Sequence, residues 1–375
     1  MGNQITLLKG PERVRKRPAV IFGSGDIDGV LNAIQILINI LAQEGVSGHS
    51  NQITVTQYQD NSIEIQDNGR GIFLGEPDSV DDLIWKDLFC ELYAGPVCGA
   101  LSRSVFEAPN NANEQPADSF ELCAVQYASE YMDICVIRDG FKHTLHFEKG
   151  NHVGGIKRTP CTGNTGTCIR LKLDSEVFSD ISLHSQQLAD KIQAIAIQIP
   201  GMRAIFRHKT AAGVEEAEFF YPKGIADYLQ AQNENCVASP VYTAALVAEG
   251  QERYNKPRYT ASANVGLCFA KDAGFIKCYH NLKELICGGT HRSAIVKEIV
   301  RYLDLGTGCE INKEEVLRHL QLVVITNSEI TSWINGTRTA IENTLIRDLA
   351  QDTIRTDFHH FVKLNEEFLN DLLCR

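Results

Sequence analysis

Asp67 is the residue whose type and place give this chain its clearest chemical handle. It closes the run Ile63-Glu64-Ile65-Gln66-Asp67, where isoleucines alternate with polar residues as along a half-buried strand. Asn68-Gly69 behind it forces a tight turn, and Arg70-Gly71-Ile72 follows. Gly71 lacks a Cβ, which leaves room for a ligand against its backbone. A carboxylate at a strand end, beside a glycine-opened wall, can accept a hydrogen bond from the exocyclic amine of an adenine-like ring. The same D-x-G-x-G spacing also occurs in ordinary turns, so these residues alone leave a purely structural reading open.

The secondary structure around Asp67 can be read from the same chain. Val30 to Ala42 is the most apolar stretch and carries three amides, Asn32, Gln35 and Asn39. It is too short to span a bilayer and reads as a buried helix. Gln59-Asp60-Asn61-Ser62 reads as the turn of a hairpin leading into the Asp67 strand. Further on, Tyr259 to Phe269 alternates like a strand, and Arg292 to Leu303 has helical spacing after Gly288-Gly289. Ile341 to Leu373 reads as one long helix or a broken pair. The chain shows no internal repeat and no low-complexity tract.

Several segments resemble the B subunits of DNA gyrase and topoisomerase IV. The opening Lys9-Gly10-Pro11-Glu12-Arg13-Val14-Arg15-Lys16-Arg17-Pro18 is similar to theirs, as are Gly48-His49, the hairpin, and Asp67 to Ile72. Thr165-Gly166-Thr167 and Gly288-Gly289-Thr290-His291 look like later markers of that family, in the same order. The resemblance implies an α+β chain. A Bergerat-type (GHKL) α/β sandwich domain would occupy residues 1–229, followed by a transducer domain of the ribosomal protein S5-like type over residues 230–375. Tyr221-Pro222-Lys223-Gly224-Ile225 resembles the join between them. No counterpart of the family's metal-binding, TOPRIM-like cleavage domain is read from the sequence, so the chain alone is not expected to cleave and religate DNA.

The 375 residues suffice for two domains with sizeable cores, and 43% apolar with 22% charged residues are ordinary for a globular protein. The net charge of −11 argues against a DNA-coating surface. Arg13 to Arg17 is the one basic cluster, and the resemblance makes it part of the folded opening. The twelve cysteines are scattered, with no C-x-x-C pair. They read as reduced thiols of a cytoplasmic protein, and no metal site is expected.

Four parts carry ATP hydrolysis in the resembled family, and each can be sought by position. The general-base glutamate of the first long helix falls on Ile36, and the magnesium-holding asparagine one turn later falls on Ile40. Asn39 neighbours the metal position, but one residue turns a helical side chain by about 100°. The phosphate-cradling lid falls on Gln115-Pro116-Ala117-Asp118-Ser119-Phe120-Glu121, which has no glycine and two carboxylates. The transducer's Q-T-K lysine falls on Asn335-Gly336-Thr337, with Arg338 one place on. ATP and magnesium are therefore not expected as cofactors.

The base-binding half is retained. The resemblance implies that Asp67 and Thr167 hold an adenine-like edge, with Gly71 and Ile72 as the wall and Arg70 and Arg138 lining the mouth. Ile36 and Ile40 make the opposite wall apolar. Such a cleft suits a planar amide- or amine-bearing small molecule better than a triphosphate. Asp67, Asp118 and Glu121 are the candidates for acid or base work, should a reaction occur there. His143 and His146, three apart in a strand-like run, should face opposite sides, and His291 reads as structural. The leading reading is thus a gyrase B-like pseudo-ATPase binding or transforming a small molecule other than ATP. The second is an interaction protein that pairs with itself as a homodimer or with a gyrase subunit. The third is a working ATPase of the gyrase type. Neither a membrane nor DNA is expected as a partner.

Overall fold

The computed structural model describes residues 10–75, 84–92, 105–106, 119–308, 310–335 and 338–374. They fall into two compact units, 1–220 and 221–375. The boundary lies before Tyr221, nine residues earlier than the 229/230 division read from the sequence, because helix Ile225–Gln232 packs on the second unit's sheet. Ile225 and Leu229 meet that sheet where Gly266 lacks a side chain.

In the first unit the strands are β1 (Gln52–Gln57), β2 (Ile63–Asp67), β3 (Ser129–Arg138), β4 (Phe141–Glu148), β5 (Asn151–His152), β6 (Lys157–Pro160), β7 (Gly166–Leu173), β8 (Arg203–Thr210) and β9 (Gly213–Phe220). They form one sheet in the order β5-β4-β3-β7-β2-β1-β8-β9, with β6 also paired to β4. Every pairing is antiparallel except β1 with β8. The helices are α1 (Pro11–Arg15), α2 (Pro18–Phe22), α3 (Ile27–Val46), α4 (Ile84–Phe89), α5 (Ser119–Tyr127) and α6 (Ser185–Gln198).

The β1–β2 hairpin turns where Asn61 takes a left-handed φ of 62° and Asp60 Oδ1 accepts the Ser62 N–H at 3.0 Å. Asn and Asp tolerate and stabilise such turns by bonding their own backbone. Helix α3 starts where Asp26 accepts the Asp28 N–H at 3.1 Å, leaving fewer orphan donors at its first turn. It runs for 20 residues, longer than the apolar stretch it was read from, and by length and composition alone could cross a membrane. It is instead a core helix: Ala33, Leu37, Ile38 and Leu41 are fully buried.

In the second unit, after α7 (Ile225–Gln232), come β10 (Tyr242–Gly250), β11 (Tyr259–Phe269), β12 (Phe275–His280), β13 (Lys283–Glu284) and β14 (Gly288–Gly289). Helices α8 (Thr290–Thr307) and α9 (Lys313–His319), strands β15 (Leu320–Ser328) and β16 (Ala340–Ile341), and helices α10 (Thr344–Leu364) and α11 (Glu366–Leu373) complete it. The main sheet has the order β10-β11-β15-β12-β13. Val265, Leu322 and Val324 share one buried core with Ile295 and Ile299 of α8 and Ile354 and Phe358 of α10. The C-terminal segment is the broken pair: Asn365 caps α10, its side-chain amide donating to Phe361 O at 2.8 Å.

Nine cysteines among the described residues are free thiols, Cys90, Cys123, Cys135, Cys161, Cys168, Cys236, Cys268, Cys278 and Cys287. Cys374 is disulfide-bonded, which departs from the all-thiol expectation.

Candidate ligand site

Asp67 ends β2 with its side chain turned inward, 3% exposed. One carboxyl oxygen accepts the Gly69 N–H at 2.6 Å and the other the Thr167 N–H at 3.3 Å. Thr167, the second residue of β7, in turn accepts the Ile72 N–H on its hydroxyl at 3.0 Å. Asp67, Gly69, Ile72 and Thr167 are therefore one hydrogen-bonded unit spanning β2, its following loop and β7. Burial pushes the Asp67 carboxyl up to about 7, against the lowering effect of the two N–H donors, and the Glu44 charge adds to the rise. Near neutral pH this group is present both as carboxylate and as acid. It can accept from a ring amine or donate to a ring carbonyl.

Glu44 of α3 also belongs to this arrangement, though no sequence signal singles it out. It is 1% exposed, and its carboxylate is fully engaged by the loop after Asp67. Arg70 donates its main-chain N–H to one oxygen at 2.8 Å and its guanidinium to the other at 2.8 Å. No local pattern announces a pair 26 residues apart in sequence.

Gly71 has φ +84°, and a Cβ there would meet Val136 Cγ1 at 2.8 Å and Ile137 O at 3.1 Å. Its missing side chain thus lets the loop lie against β3, whereas the sequence suggested room for a ligand. Arg138, at the end of β3, donates to the carbonyls of Gly71 at 2.8 Å and Phe106 at 2.6 Å. It lies over the Phe73 ring at 5.1 Å and pairs with Asp139 at 3.0 Å. Both arginines expected to line a mouth are committed to bracing the loop that carries Gly71 and Ile72.

Ile36, Ile40 and Glu44 are successive fourth residues of α3 and form one stripe along it. Glu44 touches the Asp67 loop, where a Cβ on Gly69 would lie 2.8 Å from its Oε2. Ile40, one turn back, is 3% exposed, and Ile36, a further turn back, is half-buried. Gln35 and Asn39 bond each other at 2.6 Å.

Glu121 is half-buried in the first turn of α5; Asp118 lies outside the described residues, as do Gly336 and Thr337. Arg338 is exposed with φ 54°. His143 is 6% exposed and receives Arg158 Nε at 3.3 Å, whereas His146 is on the outer face between Asp133 at 2.7 Å and Glu148 at 3.1 Å. The two histidines do face opposite sides. His291 is fully buried at the start of α8. Among the described residues no group of three His, Cys, Asp or Glu side chains is placed to hold a metal.

A sheet covered by helices, with a buried aspartate at a strand end facing the first long helix, followed by a second α+β unit, defines the class: a GHKL-type sandwich with a transducer domain. Residues 224–375 match the family described as DNA gyrase B. The DNA gyrase B protein of Synechocystis sp. is 24% identical over 376 residues, covering 97% of this chain and 33% of that protein. Its Staphylococcus aureus counterpart is 24% identical over 97% of this chain and 56% of its own length. Among solved structures, the 43K ATPase domain of Thermus thermophilus gyrase B, in complex with an aminocoumarin, superposes with TM-score 0.69 at 19% identity. That match covers 97% of this chain and 93% of that one. The topoisomerase IV ATP-binding domain of Francisella tularensis, in complex with a small-molecule inhibitor, gives 0.67 at 17%, covering 98% and 95%. The chain is similar to gyrase B proteins along nearly its whole length, and it spans between about a third and somewhat over half of the curated relatives it matches.

Proposed function

We propose that this gyrase B-like chain is a pseudo-ATPase whose first unit binds, or transforms, a planar amine- or amide-bearing small molecule in place of ATP and magnesium. The observation that carries this reading is the stripe Ile36–Ile40–Glu44 on α3. Its two isoleucines stand where the family resemblance implies a general base and a metal ligand, and neither accepts a proton or binds a cation. Glu44, the stripe's one carboxylate, is held by Arg70 at 2.8 Å through both main chain and side chain. Asp67 keeps its donors on Gly69 and Thr167 and an apolar setting, the chemistry needed to hold a heterocycle edge. An aminocoumarin and an inhibitor in two structural relatives are consistent with non-nucleotide occupants of this fold.

The test is a thermal-shift series on the full chain with adenine, adenosine and a non-hydrolysable ATP analogue, with and without magnesium. Adenine and adenosine should raise the melting temperature of the wild type but not of Asp67→Asn, since a ligand of the native state stabilises it by mass action. The triphosphate should add nothing beyond adenosine, with or without the metal. A magnesium-dependent gain for the triphosphate would make this a working nucleotide site. No shift with any of the three would remove the planar-amine reading.

A further inference from the structure

The outer face of the first unit's sheet, opposite its helices, carries an open cleft of about 370 Å³. Its lining includes Glu64, Arg170, His146 and Lys157, and two thiols, Cys135 of β3 and Cys168 of β7. The neighbours of these cysteines along their strands, Ile134, Val136 and Ile169, are at most 1% exposed in the core. Strand alternation therefore turns both thiols to the cleft side. In the β3–β7 pairing Cys135 and Cys168 are direct cross-strand partners. Such partners have Cα atoms about 4.5–5.5 Å apart, inside the roughly 4.4–6.8 Å that a disulfide spans. Both are free thiols here.

We propose that Cys135 and Cys168 are a thiol–disulfide exchange site, reacting in the outer-face cleft with a low-molecular-weight disulfide such as oxidised glutathione. One cysteine thiolate attacks a sulfur of the reagent disulfide; that S–S bond breaks, one reagent thiol leaves, and a mixed disulfide remains on the protein. The other cysteine gives its proton to solvent and attacks the protein-side sulfur of the mixed disulfide. A Cys135–Cys168 bond forms and the second reagent thiol leaves. Two electrons pass from the protein pair to the reagent, which departs as two thiols.

Several features of the cleft bear on this chemistry. Both ring nitrogens of His146 are taken by Asp133 and Glu148, so the pair is not a Cys–His nucleophile arrangement. Burial raises both thiols, Cys168 to about 12, so exchange at neutral pH is slow and the product accumulates over long incubation. Cys161 is the competing partner, a free thiol near enough to Cys135 to help raise it. The bond would close a loop of 33 sequence steps and would sit one residue from Thr167, which holds Asp67.

The experiment incubates the full chain with oxidised glutathione overnight, alkylates remaining thiols, and maps peptides by mass spectrometry without reduction. The expected product is a cross-linked peptide pair joining Cys135 to Cys168, lighter by two hydrogens than its reduced parts. The melting temperature of the oxidised protein should rise on the order of 5 °C above the reduced form. Cys135→Ser and Cys168→Ser, nearly isosteric, should each abolish that cross-link and leave the remaining cysteine as a glutathione adduct or free thiol. Recovery of both cysteines alkylated, of stable glutathione adducts on the wild-type pair, or of a Cys135–Cys161 bond instead would overturn the proposal.

Discussion

Arg70 closes on Glu44 twice, through its main-chain N–H and through its guanidinium, each at 2.8 Å. Together these contacts clamp the loop after Asp67 onto α3. Glu44 is 1% exposed while the Arg70 side chain keeps 32% exposure, so solvent screens one end of the pair only. Removing one partner of a buried pair leaves an uncompensated charge, worth about 3–5 kcal/mol when fully buried. Arg70→Ala should therefore cost the first unit about 2–4 kcal/mol in urea unfolding, read by Trp85 fluorescence in a Trp333→Phe background. Arg70→Lys should recover less than half, because a point charge cannot replace the planar fork.

Gly71 predicts a second effect. At φ +84°, with Val136 Cγ1 at 2.8 Å from an added Cβ, Gly71→Ala meets both backbone strain and a clash with β3. A loss of about 1–3 kcal/mol is expected in the same unfolding assay. An unchanged midpoint would show that the loop can move off the sheet without penalty.

The Asp67 carboxyl gives the first unit a pH signature. Its native pKa is raised from 3.8 to about 7, so between these values the folded protein holds a proton that the unfolded chain has lost. Stability then falls as pH rises from about 4 to about 7 and levels off above that. Asp67→Asn, which cannot ionise, should flatten this slope when denaturation midpoints are measured at intervals from pH 5 to 8. A wild type and variant with parallel profiles would place the titration elsewhere.

In the second unit, Asn343 is 1% exposed and satisfies four groups at once. Its amide donates to Glu252, Tyr259 and Ile330 O at 3.2, 3.1 and 3.0 Å, and its oxygen accepts the Ser332 N–H at 2.7 Å. Asn343→Ala strands several buried partners, and about 2–3 kcal/mol of lost stability is expected. Trp333, one residue from Ser332, reports it by fluorescence in a Trp85→Phe background.

Local periodicity makes much of this fold legible. The β11 strand has the bounds its alternation predicts, Tyr259 to Phe269, and the Asp67 strand and its hairpin follow from alternation and turn residues. The α10–α11 break stays open in the sequence because the apolar spacing continues through Asn365, and only the cap on Phe361 O stops the helix. Tertiary pairing is not legible. Glu44 meets Arg70, and Arg138 meets the Gly71 and Phe106 carbonyls, across separations that carry no short-range signal. For the same reason Gly71 suggests an opening for a ligand where the chain packs against Val136.

On the proposed reading, the α3 stripe of Ile36, Ile40 and an Arg70-bound Glu44 supports no magnesium-dependent cleavage of ATP. Its most direct test is phosphate release from ATP and magnesium by the purified chain, run beside Asp67→Asn to exclude a contaminating ATPase. Loss of one catalytic base or donor typically removes about 10²–10⁴ in rate, so with isoleucines at the two positions that the resemblance assigns to base and metal ligand the proposal predicts the same background from both proteins. Steady, magnesium-dependent turnover by the wild type that Asp67→Asn lacks would contradict it.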